Sequence, residues 1–151
     1  MTRRLVVEAD GGSRGNPGPA GYGAVVRDAA TGEVLAEVSD SLGRATNNVA
    51  EYSGLIAGLK AAARLARGAD VEVRMDSKLV VEQMSGRWQI KHPDMRPLAA
   101  KATEAARALG RVNYTWVPRL RNAHADRLAN EAMDAAARAL AGDAGPAGST
   151  V

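Results

Sequence analysis

The chain has 151 residues, 46% of them apolar, with no cysteine and a formal net charge of +3. Such a length suits one domain with a real core, and such an apolar content excludes a disordered chain. The lack of cysteine excludes disulfides, zinc–thiolate sites and cysteine nucleophiles, and it fits a reducing, cytoplasmic setting.

The opening MTRRLVVEADGG has too short an apolar run for a secretory leader. No stretch is apolar for long enough to span a bilayer, so no membrane partner is expected. Leu5, Val7 and Ala9 alternate with Val6, Glu8 and Asp10, which predicts a first strand ending at Asp10. Asn16-Pro17-Gly18-Pro19 is a turn, GYGAVVRDA a second strand, Thr31-Gly32 a hairpin and EVLAEVSDSL a third strand. From TNNVAEYSG onward the period changes to helical, with Val49, Tyr52, Leu55, Ile56, Leu59 and Ala63 on one stripe and Gly68 as the stop. DVEVRMD reads as a fourth strand ending at Asp76, and SKLVVEQMSG as a short helix. RWQIKH is a basic connector, Pro93 opens a helix reaching about Leu109, and RVNYTWVP is a fifth strand. NAHADRLANEAMDAAARAL is a closing amphipathic helix. These elements form one domain over 1–141, and 142–151 reads as a flexible tail or the start of a linker.

The order βββαβααβα predicts an α/β fold. Short links make strands 1–3 an antiparallel meander, and right-handed crossovers place strands 4 and 5 beyond strand 1. The expected sheet is five-stranded and mixed, in the order 3-2-1-4-5, with helices on both faces. Sites in open α/β sheets lie at the carboxyl ends of strands where the order reverses. Here that point falls between strands 1 and 4.

Four acids from four elements converge on it: Asp10, Asp76, Glu51 near the start of the first long helix and Asp126 in the first turn of the last. Each has an ordinary role open to it. Asp76-Ser77 suits a helix cap, Glu51 follows Asn48 at capping-box spacing, Asp126 suits a helix dipole and Asp10 a turn. Those roles do not explain one shared edge. A like-charge pair ~4 Å apart costs about 4 kcal/mol at an effective dielectric of 20, so a cluster implies a cation. Oxygen-only ligation points to Mg²⁺ or Mn²⁺, and two such ions balance four carboxylates. That arrangement serves in-line phosphoryl displacement. Arginine outnumbers lysine sixteen to four, which suits phosphate contacts.

The stretches DGGSRGNPGPAGYGAVV, TNNVAEYSGLIAGL, RMDSKLVVEQMSGRW and WVPRLRNAHADRLANEAM, in this order, resemble the ribonuclease H type 1 family. The resemblance covers roughly Leu5 to Leu140 and implies the ribonuclease H-like fold. It also implies an endonuclease that uses two Mg²⁺ ions, with Mn²⁺ as a substitute. Such an enzyme cuts the RNA strand of an RNA–DNA hybrid and leaves 5′-phosphate and 3′-hydroxyl ends. Asp10, Glu51, Asp76 and Asp126 would be its catalytic metal ligands. Asp10 would bridge both ions, Asp76 and Asp126 would hold the water-activating one, and Glu51 the leaving-group one. Gly11, Gly12, Ser13 and Asn16 would meet the minor groove, Asn47 and Asn48 the backbone and 2′-hydroxyls, and Arg44 and Thr46 a DNA-strand phosphate.

Two features depart from well-known members. The long basic handle helix is absent, leaving Arg87, Trp88, Lys91, His92 and Arg96 as a reduced platform with a steeper salt dependence. The loop before Asp126, VPRLRNAHAD, is short; His124 does not match the family's loop histidine, and Arg119 or Arg121 would contact the scissile phosphate instead. The pattern most resembles the ribonuclease H module that begins certain bacterial two-domain proteins, in which a phosphatase domain follows. A monomer is expected. The rivals are another nuclease of the same fold, an actin-like ATP-binding fold, for which the chain is short, and a non-catalytic hybrid-binding module.

Overall fold

Leu5, Val6, Val7 and Ala9 are all buried, so the first strand is apolar on both faces and belongs at the centre of a covered sheet. The computed structural model describes residues 3–144. Its elements are β1 (Arg4–Ser13), β2 (Gly18–Asp28), β3 (Val34–Ala45), α1 (Asn47–Leu65), β4 (Asp70–Met75), α2 (Lys78–Met84), α3 (Met95–Ala106), β5 (Val112–Trp116), a one-turn 3-10 helix (Arg119–Asn122) and α4 (Ala123–Ala144). The sheet order is β3-β2-β1-β4-β5, with β1, β2 and β3 antiparallel in sequence and β4 and β5 parallel to β1. The expected order and directions are therefore those observed.

One face carries the larger core. Val7, Ala9, Val71, Val73 and Met75 of the sheet pack with Tyr52, Leu55 and Leu59 of α1, Val80 and Val81 of α2, and Ala99 and Ala102 of α3. The Tyr52 hydroxyl donates to Gln83 Oε1 at 2.7 Å, which ties α1 to α2 inside this layer. The other face is covered by α4 through Ala125, Leu128, Ala129, Ala132 and Met133, all buried. Among the described residues, no helix is long and apolar enough to cross a membrane.

Several boundaries differ from the sequence reading. β1 runs on to Ser13, so Asp10 lies inside the strand, paired with Gly23 of β2, and is neither a strand end nor a turn residue. Thr46 caps α1 by accepting from Val49 N at 3.3 Å, so Asn48 and Glu51 form no capping box. Ser77, not Asp76, caps α2. α3 begins at Met95 rather than Pro93. α4 includes 142–144, which the sequence reading gave to the tail, and 145–151 lie outside the described residues.

Candidate active site

The parallel pairing of β1 with β4 sets Glu8 opposite Arg74. Two residues further along each chain stand Asp10 and Asp76, at one level and one edge. α1 reaches that edge because β1 has no side chain at Gly11. A Cβ there would lie 2.1 Å from the Ala50 carbonyl oxygen, and one at Gly54 would lie 2.5 Å from that of Asp10. This close crossing brings Glu51 beside Asp10. From the opposite face, α4 supplies Asp126 in its first turn. The result is a cavity of about 360 Å³ lined by all four acids, together with Asn47 and Arg119.

Their electrostatics record the crowding. The Asp10 carboxyl is pushed up to about 8, first by burial, then by the charge of Asp76 and by a hydrogen bond with Asp126. Glu51 is pushed up to about 7, chiefly by burial with a contribution from Asp76, against a hydrogen bond with Ser77 that pulls it down. Arg119 Nη2 stands 3.4 Å from Asp126 Oδ1, and Arg14, paired with Asp134, also lines the cavity. Among the described residues no three acidic or histidine side chains close to ligating distance, so the acids surround an open space. The donor set nevertheless fits a hard divalent ion: oxygen only, clustered, and destabilised as anions until a positive charge enters.

Two neighbours were not singled out by the sequence. Asn122 is wholly buried and donates from Nδ2 to the Ala9 carbonyl at 2.9 Å and to Asp76 Oδ1 at 3.3 Å. Trp116, half exposed, donates from its indole N–H to the Asp76 carbonyl at 3.2 Å, with the Lys78 ammonium 6.0 Å from the ring centre. The signal for Asn122 was its place four residues before Asp126, but asparagine is normally a surface residue and its burial was not legible. Beside the cavity, Ser13 N donates to Asn47 Oδ1 at 2.8 Å and Asn47 N donates to Asn16 Oδ1 at 3.2 Å. Both side-chain carbonyls are thereby engaged, and the amide hydrogens of both side chains meet no acceptor among the described residues.

Comparison with known proteins gives this geometry a family. Residues 8–132 match the model of a family described as reverse transcriptase-like. The chain is 63% identical over 144 residues to the "Bifunctional protein Rv2228c" of Mycobacterium tuberculosis, covering 95% of this chain and 39% of that protein. It is 48% identical over 125 residues to the "Ribonuclease HI" of Halobacterium salinarum, covering 83% of this chain and 62% of that one. Among solved structures, the N-terminal RNase H domain of the M. tuberculosis protein superposes with a TM-score of 0.89 at 62% identity, covering 92% of this chain and 99% of that one. The chain belongs to the ribonuclease H family. LC11-RNase H1, solved in complex with an RNA/DNA hybrid, superposes on it with a TM-score of 0.82 at 41% identity, covering 87% of this chain and 98% of that one. The chain spans about two fifths of the length of the mycobacterial protein it matches.

In this ribonuclease H domain the remaining expected residues are distributed as follows. Gly12 faces Met133, with a Cβ 3.1 Å from its methyl carbon, so both Gly11 and Gly12 make room for helices rather than thinning a loop. Thr46 is occupied as a cap, Arg44 is exposed and Asn48 is half-buried. In the connector, Arg87 is paired with Glu82, Arg96 donates to the Ile90 carbonyl and His92 accepts from Asp94 N. Trp88, 45% exposed, and Lys91 face solvent. Arg119 lines the cavity, whereas Arg121 is exposed outside its lining. His124 turns toward β2 and β3. Its Nδ1 accepts from Arg27 Nη2 at 2.9 Å and its Nε2 meets Glu37. Because arginine can only donate, the His124 proton sits on Nε2, bound to Glu37. Both ring nitrogens are thereby engaged, and His124 is not among the residues that line the cavity.

Proposed function

We propose that this domain hydrolyses the RNA strand of RNA–DNA hybrids with two divalent ions, leaving 5′-phosphate and 3′-hydroxyl ends. The reading rests on one observation: four carboxylates from four elements line one cavity, next to side-chain amides whose hydrogens meet no acceptor among the described residues. Asp10, Glu51, Asp76 and Asp126 would hold Mg²⁺, with Mn²⁺ able to substitute. When bound, such ions supply Lewis acidity at a phosphate and lower the pKa of an attacking water.

The chain's own residues do the rest. Asp10 and Glu51, held high by burial, would hold such ions only in their ionised forms. Asn16, Asn47 and Asn48, with Gly11 and Gly12 beneath them, present short amide donors to sugar hydroxyls in a minor groove, and Ser13, whose hydroxyl donates to the Gly15 carbonyl, presents an acceptor. Arg44 and Thr46 receive a phosphate of the DNA strand. Trp88 offers a stacking face and Lys91 a charge to the backbone. Arg119 leaves Asp126 for the scissile phosphate, with Arg121 on the phosphate beside it. The hybrid bound by LC11-RNase H1 supports this substrate. The domain spans 1–141 with α4 running slightly beyond it, acts as a monomer in the cytoplasm and precedes a phosphatase domain in a longer protein; the bifunctional mycobacterial relative, of which this chain spans 39%, supports only a further domain.

The experiment is cleavage of an end-labelled RNA–DNA hybrid beside duplex DNA and duplex RNA of the same sequence. Internal cuts confined to the RNA of the hybrid, with ligatable 5′-phosphates, are expected. Cleavage of duplex DNA in preference to the hybrid would transfer the chain to another branch of nucleases on this fold.

A further inference from the structure

Asn122 belongs to the 3-10 turn before α4 and has no exposed surface. Both partners of its amide nitrogen, the Ala9 carbonyl and the Asp76 carboxylate, accept hydrogen bonds. The amide therefore has one workable orientation, since its reverse would set oxygen against both. That orientation leaves Asn122 Oδ1 buried with no hydrogen-bond partner among the described residues. An orphaned buried acceptor is costly. A leucine of similar size would fill the space without it, so packing alone does not account for an amide here. Ala9 precedes Asp10 on β1, and Asp76 follows β4 directly. One side chain thus joins the two central parallel strands at the point where each presents a carboxylate. Trp116 holds the main chain of the same Asp76 from the side of β5.

We propose that Asn122 is a positioning residue: its two N–H groups fix the Asp76 carboxylate against β1 and so set how Asp76 and Asp10 together meet a divalent ion. This rests on reading the four carboxylates as the metal site.

The test is Mn²⁺ titration calorimetry, with kcat and KM on hybrid, for wild type, Asn122→Leu, Asp76→Asn and the double variant. Asn122→Leu is expected to weaken Mn²⁺ binding about tenfold and to lower kcat, with KM for hybrid unchanged. In the Asp76→Asn background the same substitution is expected to change Mn²⁺ affinity less than about twofold, because the carboxylate that Asn122 positions is gone. Asn122→Ser, which keeps a shorter donor, recovers part of the loss and carries the same comparison where the leucine variant does not fold. Wild-type affinity and kcat in folded Asn122→Leu, or an equal loss in both backgrounds, overturns the proposal. The metal-free protein separates this failure from failure of the metal site. There the Asn122 side-chain amide hydrogens are expected to exchange slowly in NMR and to shift in Asp76→Asn. Fast exchange, or no shift, overturns the clip whether or not Mn²⁺ binds.

Discussion

Asp10 and Glu51 are held above their usual range by burial and by each other's neighbours, which ties stability and metal binding to pH. A carboxyl raised on folding stabilises the fold while protonated, and this contribution is lost as pH rises through the folded value. Without metal, thermal stability is therefore expected to fall from about pH 4 towards pH 8, with losses near 7 for Glu51 and near 8 for Asp10. With Mg²⁺ present the fall is offset, because cations bind the ionised forms, and Mg²⁺ affinity rises across the same window. Melting curves across pH in chelator and in Mg²⁺ check both signs; a metal-free protein that gains stability between pH 5 and pH 8 contradicts them. His124 behaves differently. With its ring held between Arg27 and Glu37, His124→Ala is expected to leave the shape of the pH–rate profile unchanged and to cost about 1–3 kcal/mol of stability. Residue types made the carboxylates readable, because acids at strand ends and helix starts have few joint explanations. Asn122 and the partners of His124 were not readable, since their contacts span 113 and 87 positions of sequence.

The elements were legible wherever one period ruled. Val71, Val73 and Met75 alternate on β4, and Tyr52, Leu55 and Leu59 mark the buried stripe of α1. Boundaries were less legible where tertiary contacts extend an element. β1 passes Asp10 because pairing with β2 continues to Ser13 and Ala20, and two glycines in that extension admit helices on either side. Gly11→Ala belongs to this scale. Its methyl would meet the Ala50 carbonyl, so α1 must move away from β1. The expected cost is about 1–3 kcal/mol, with cleavage reduced more than the melting loss explains, because Glu51 moves with the helix. Chemical denaturation beside a Mg²⁺ titration measures both. Thr46→Ala is the contrasting case: loss of the cap is expected to cost about 1 kcal/mol.

At the scale of the molecule, handedness and short links determined the sheet order, and the switch point between β1 and β4 then located the cavity without side-chain detail. The substrate surface was less legible, because chain order does not say which exposed cations are already paired. Arg87 is engaged by Glu82, whereas Trp88 and Lys91 are exposed on the connector. Hybrid affinity is accordingly expected to fall steeply with salt, and Trp88→Ala to weaken it by about 1–3 kcal/mol at any one salt concentration, the range for loss of a stacking contact.

The central claim is that the four acids act together through divalent ions on the RNA strand. It is tested most directly by single-turnover cleavage of a labelled hybrid by wild type and Asp10→Asn, each in Mg²⁺ and in chelator. Cleavage by wild type in Mg²⁺ alone is predicted, with Asp10→Asn slower by about a thousandfold or more, the equivalent of several kcal/mol of charge stabilisation. Comparable rates for the two proteins in Mg²⁺, or cleavage that survives chelation, would contradict it.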